Sequence, residues 1–83
     1  MKTNKNNWSV EVQKITRKAL DNLDPCIFMN KNRAFMKHIE MRGGGWISIQ
    51  DALNNEWIIR RDNGDPLVFK SLDDLIESGW VLD

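Results

Sequence analysis

Residues 57–80 read WIIRRDNGDPLVFKSLDDLIESGW, and this stretch decides the fold. Asn63-Gly64 is a preferred two-residue type I′ loop, because both central positions of that turn need positive φ. Asp62 and Asp65 flank it and are turn residues themselves. The stretch therefore predicts a β-hairpin with strands at about 57–61 and 66–70. A two-residue loop sets Trp57 opposite Lys70, Ile58 opposite Phe69, Ile59 opposite Val68, Arg60 opposite Leu67 and Arg61 opposite Pro66. Both faces are then apolar at the base and polar at the tip, so the base is expected to be sandwiched. Ser71-Leu72-Asp73-Asp74 opens a short helix over about 72–78, with Ser71 as N-cap and two acids on the positive end of the helix dipole. Leu72, Leu75 and Ile76 form its apolar stripe. Gly79 ends it, and Trp80-Val81-Leu82 is expected to return to the core as a short strand.

Upstream of the hairpin, SIQDALNNEW (48–57) aligns without gaps on SLDDLIESGW (71–80). Ser, Asp and Trp coincide at equal offsets. Two short capped helices, each feeding a Trp-led strand, are expected to pack pseudo-symmetrically on the hairpin. Before them, Gly43-Gly44-Gly45 is either a hinge or a place where something packs against bare backbone.

The first half reads as helical. Trp8, Val12, Ile15, Ala19 and Leu23 repeat at helical spacing, Leu20 broadens the stripe, and Ser9 caps it. Asp24-Pro25 closes this helix. Residues 1–7 are a Lys/Asn-rich lead-in expected to be disordered. Cys26 to Met29 is a short apolar run in which Cys26 is expected to pack in the core. Residues 33–42 predict a second helix, because Phe35, Met36 and Ile39 share a helical face, whereas a strand would mix Phe35, Lys37 and Ile39 on one side. The expected fold class is α+β, a small single domain over 8–83. N-terminal helices come first, then a short helix, the hairpin and the C-terminal helix. The expected core is Val12, Ile15, Ala19, Phe28, Phe35, Ile39, Trp46, Leu53, Trp57, Ile59, Val68, Leu75, Ile76 and Trp80.

At 83 residues the hydrophobic core is small, and four Trp and three Phe supply much of it. Cys26 is the one cysteine, so an internal disulfide is impossible. No apolar run is long enough to cross a membrane, and the start lacks the apolar core of a secretory signal, so no membrane association is expected and cytoplasm is the expected compartment. Catalysis is not expected: His38 is a lone histidine, and no Cys/His spacing fits zinc. Asp62-Asn63-Gly64-Asp65 lacks the spacing and distal Glu of a calcium loop, and the glycine triplet lacks the strand and Lys of a phosphate loop. No cofactor or metal is expected.

Charge is the strongest functional signal. Through Gly45 there are nine Lys/Arg and four Asp/Glu, net +5; after it three and eight, net −5. Lys14, Arg17, Lys18, Lys31, Arg33, Lys37 and Arg42 are candidates for a basic face. Asp62, Asp65, Asp73, Asp74 and Glu77 are candidates for an acidic one. The expected function is a non-enzymatic accessory or adaptor protein that binds another protein, with self-association driven by the same dipole as a variant. Size, the lone domain and the Lys/Asn-rich lead associate it with small phage or mobile-element proteins. The alternative is a DNA- or RNA-binding regulator using the basic half. GGGWISIQDAL followed by a hairpin resembles part of a winged helix, with 33–42 and 49–55 as its helices, although the Gly43–Ser48 connection exceeds the usual three or four residues. Against nucleic acid stand the neutral total charge and the lack of an aromatic stripe interleaved with cations on a predicted strand.

Overall fold

Each α-helix begins at a serine that spends its hydroxyl on an orphan helix N–H. Ser9 Oγ accepts from Val12, Ser48 Oγ from Asp51 and Ser71 Oγ from Asp74, at 3.1–3.2 Å. The helices are α1 (Val10–Asp21), α2 (Ile49–Leu53) and α3 (Leu72–Glu77). A 3₁₀ turn, Pro25–Phe28, follows α1, and the strands are β1 (Arg33–His38), β2 (Gly45–Ser48), β3 (Trp57–Ile59), β4 (Leu67–Phe69) and β5 (Trp80–Leu82). The computed structural model describes residues 8–41, 43–62 and 64–83. The lead-in at 1–7, Arg42, and the Asn63 on which the turn type depends lie outside the described residues.

The fold is α+β, with two small antiparallel sheets, β2-β1-β5 and β3-β4. A single antiparallel bridge joins them edge to edge. Trp46 N–H donates to Arg60 O and Arg60 N–H to Trp46 O, both at 2.9 Å. The joined sheet therefore runs β4-β3-β2-β1-β5. Its inner face carries Ala34, Met36, Ile47, Ile59 and Trp80, which are buried with Leu20, Phe28, Leu72, Leu75 and Ile76. The free edge of β5 is protected by α1. Thr16, fully buried, accepts the N–H of Leu82 at 3.0 Å.

Residues 33–38 form the central strand, not the expected helix. The cause lies one turn earlier. Lys31 and Asn32 both have positive φ (55° and 60°), and Arg33 N–H returns to Asn30 O, so residues 30–33 make a tight reversal. Asn32 in that conformation cannot cap a helix, since a cap needs extended φ/ψ. Ladder pairing on both sides of β1 then outweighs the modest helical preference of the segment. The two-helix arrangement of a winged helix is accordingly not formed at 33–42.

The hairpin forms with a different register. Trp57 lies opposite Phe69, Ile58 opposite Val68 and Ile59 opposite Leu67, one residue away from the two-residue-loop prediction. Arg60 leaves the hairpin ladder to bridge Trp46, and Pro66 has no N–H to give, so the strands end early and the loop lengthens. The consequence is a one-sided hairpin. Trp57, Ile59, Leu67 and Phe69 face the core, while Val68 is 74% exposed beside Ile58.

Other core expectations also change. Ile15 (58% exposed), Phe35, Ile39 and Leu53 point outward, and Val12, Ala19 and Trp46 are half-buried. In their place Leu20, Ala34, Met36, Ile47, Ala52, Leu72 and Val81 are buried. In α1 the packed line runs through Thr16 and Leu20, because the Thr16 hydroxyl has the Leu82 N–H to satisfy. Cys26 is exposed. Its N–H is held by the Asp24 carboxylate at 2.9 Å, and the 3₁₀ turn buries Phe28 instead.

The repeat is present as local structure. Both copies run serine cap, short helix, Trp-led strand. The strand led by Trp57 flanks β2 and the strand led by Trp80 flanks β1, so the two copies lie on either side of the β2–β1 pair, and only the first carries a further strand, β4.

Candidate functional site

The candidate charges occupy several elements. Lys14 and Lys18 are exposed on α1, while Arg17 is ion-paired to Asp73 on α3. Basic and acidic halves thus meet at the α1–α3 contact. Asp62 and Asp65 are exposed in the hairpin loop, where Arg61 donates to the Asp65 carbonyl (2.8 and 3.2 Å), and Asp74 and Glu77 are half-buried on α3. Lys31 sits in the turn before β1, and Arg33 and Lys37 lie on β1 itself. Arg42 lies outside the described residues.

Two open grooves flank α1. One of about 410 Å³ is lined by Ile15, Lys18, Ala19, Asn22, Asp24 and Pro25. The other, about 250 Å³, mixes Arg17 and Lys70 with Asp21 and Asp73. His38 lines neither. Its Nδ1 accepts from Glu40 N–H (3.0 Å), so Nε2 carries the proton and donates to Ser78 O at 2.7 Å. The ring meets Trp80 edge-on, with centroids 5.2 Å apart. This histidine is a structural clamp between the end of β1 and the turn into β5. Among the described residues no group of three His, Cys, Asp or Glu is placed to hold a metal ion. No helix of the described residues is long and apolar enough to cross a membrane.

The outer face of the joined sheet is different in kind. Alternation along β1 brings Arg33, Phe35 and Lys37 to that side. Phe35 lies directly opposite Trp46. Both backbone groups of Trp46 are spent on Arg60, so the Phe35–Trp46 pair is of the non-hydrogen-bonded kind, in which side chains approach most closely. Phe35 is 40% exposed and Trp46 half-buried. The Arg33 guanidinium lies 4.6 Å from the Trp46 ring centroid, and the Lys37 ammonium 4.9 Å from that of Trp8. Neither cation has a carboxylate partner among the described residues. Ser48 opposes Arg33. Asp83, whose N–H donates to Phe35 O at 2.9 Å, continues the β1–β5 register and stands opposite Phe35 as the acid on the β5 side.

Comparison with known protein families, curated proteins and solved structures finds no match. The face must be read from its own chemistry.

Arg60 shares this face through its bridge to Trp46, but its charge is engaged. Its Nε donates to Asp51 Oδ2 at 2.9 Å, and Asp51 is buried. Hydrogen bonds from Arg60 hold the Asp51 carboxyl below its ordinary pKa, against the upward push of burial, and Asp51 raises Arg60 in turn. A depressed carboxyl stabilises the fold above its unfolded pKa and loses that contribution as pH falls through its folded value. Asp51→Asn should therefore cost on the order of 1 kcal/mol at neutral pH, a figure kept small by the exposed end of Arg60. The gap between the two proteins should close below about pH 4. Urea melts across pH test this, and a gap independent of pH would refute the coupling.

The sequence carries a signal for this face in the alternation of Arg33, Phe35 and Lys37. A strand placing Phe35 with Lys37 looks unclean only when a purely apolar face is sought.

Proposed function

We propose that this chain is a non-enzymatic accessory protein that binds another macromolecule through the outer face of its sheet. The observation that supports the reading is the juxtaposition on one face of Phe35 and Trp46 with Arg33 and Lys37, neither of which has an acidic partner among the described residues. A stable fold has no need of an exposed phenylalanine beside an indole in the middle of a sheet. A binding surface does, since aromatic and arginine side chains carry most contact energy. The paired charges of α1 and α3 are occupied with each other and leave less to offer a partner.

Photo-crosslinking from position 35 in cells tests the site without assuming the partner's class. A benzophenone side chain at 35 should give high-mass adducts, and one at exposed Asn54 should not. Adducts absent at 35, or equal at both positions, would overturn the proposal.

A further inference from the structure

We infer that the partner of this face is a single-stranded nucleic acid, whose bases stack on Phe35 and on the Arg33–Trp46 pair while its phosphates meet Arg33 and Lys37. The inference rests on the reading of the sheet face as the binding surface and adds the class of its ligand. Single strands are held in general by aromatic platforms beside cations that track the backbone. Both parts are present in alternation on one strand. Arg33 and Lys37 lie four residues apart, about 13 Å along β1, with Phe35 midway. That is the reach of a short run of extended nucleotides, with a base available to the ring between two phosphates.

The arrangement of charge favours this ligand over a protein. Among the described residues, Arg33 and Lys37 are the cations on the face without acidic partners, and Lys31 sits exposed in the turn that leads into β1. Asp83 is the opposing acid and continues the β1–β5 register opposite Phe35, on the β5 side. A strand of phosphates therefore runs along β1 between Arg33 and Lys37 on the β2 side of Phe35, away from Asp83. A protein partner of standard size covers about 800 Å² on each side and centres on a charge-poor apolar patch. Here Ser48, Arg33 and Arg60 border the two rings and separate them from Ile58 and Val68 on the hairpin part of the same face. The paired bases of a duplex cannot reach the rings, so the face discriminates by strandedness and only weakly by sequence. A neutral chain with two phosphate contacts is a weak, salt-sensitive binder, which matches the zero net charge.

The experiment is fluorescence anisotropy with short labelled oligothymidylate and oligouridylate, and with a duplex of the same length, across a salt series. Binding to one or both single strands is expected, with the duplex at least about tenfold weaker. The slope of log K against log salt should be about −1.4, from two phosphates at about 0.7 each. Phe35→Leu keeps an apolar side chain and removes the π-face, and should weaken binding about tenfold, whereas Phe35→Tyr should restore it. Arg33→Gln and Lys37→Gln should each flatten the slope by about 0.7. Thermal melts of all four variants confirm folding.

No single-strand binding at low salt overturns the inference, as does equal duplex binding or a Phe35→Leu protein that binds like the parent. The crosslinks separate this failure from that of the underlying reading. Adducts at position 35 that a protease removes and a nuclease leaves would uphold the face and refute the ligand. No adducts would remove both.

Discussion

Gly79→Ala is expected to destabilise the chain by about 2–4 kcal/mol, from backbone strain of about 1–3 kcal/mol and a lost hydrogen bond of about 1 kcal/mol. Gly79 follows α3 with φ +112°, a conformation that side chains resist. A methyl there would also collide with His38 Nε2 and lie 2.9 Å from its Cδ2. His38 has little room to yield. It donates to Ser78 O, accepts from Glu40 N–H and sits edge-on to the buried Trp80. The Gly79 carbonyl in addition accepts from Trp8 Nε1 at 3.1 Å, so movement of this turn reaches the start of α1. A chain of 83 residues has only about 4–12 kcal/mol of total stability, so the loss is a large share of it. Urea unfolding followed by tryptophan fluorescence reads the change. The double variant Gly79→Ala/His38→Ala separates the terms, because it removes the collision and leaves the strain. A single-variant loss under about 1 kcal/mol would show that the turn is not constrained as described.

Gly45→Ala acts at the other junction and should cost about 3–5 kcal/mol, from overpacking of about 1–3 and two ladder hydrogen bonds at about 1 each. A methyl on Gly45 would stand 2.6 Å from Ile59 Cγ2 and 2.7 Å from Arg60 O. Neither can retreat, since Ile59 is fully buried and the Arg60 carbonyl is bonded to Trp46. The strain opens the Trp46–Arg60 bridge, the backbone link between the two sheets. Hydrogen exchange should show the Trp46 and Arg60 amides losing protection first, ahead of the β1–β5 ladder. Parent-like protection at those two amides would disprove the account. The close approach also resolves the glycine triplet. Gly45 is where another strand lies against bare backbone, and Gly44 adopts φ +56° with its missing Cβ aimed at Met36 O.

Short-range signals were legible wherever a residue and its partner lie within a few positions. Ser9, Ser48 and Ser71 cap as their sequences imply, and Gly79 takes the positive φ expected of a helix stop. The α+β class, the existence of the hairpin and the return of Trp80-Val81-Leu82 as a strand were readable for the same reason. Residues 33–38 were not. Their strand state depends on pairing with β2 and β5, the latter more than forty residues away in sequence (Met36 with Leu82), and on a turn that uses Lys31 at positive φ. The candidate face depends on that one segment. As a helix it scatters Arg33, Phe35 and Lys37; as a strand it lines them up.

The sequence by itself determined which segments end, turn and cap, because those features are settled by side chains bonding to nearby backbone. It also determined the charge division and the amphipathic pattern of α1, though not which line of α1 is buried. Tertiary structure alone decided the register of the 57–69 hairpin. Arg60 was drawn away to Trp46 and Asp51, and a one-residue shift reassigned every facing pair, leaving Val68 in water. It alone decided that Arg17 and Asp73 neutralise each other, while Arg33 lies over Trp46 and Lys37 over Trp8 with no acidic partner among the described residues. Local chemistry selects an element, and cross-strand pairing selects which side of it meets the solvent.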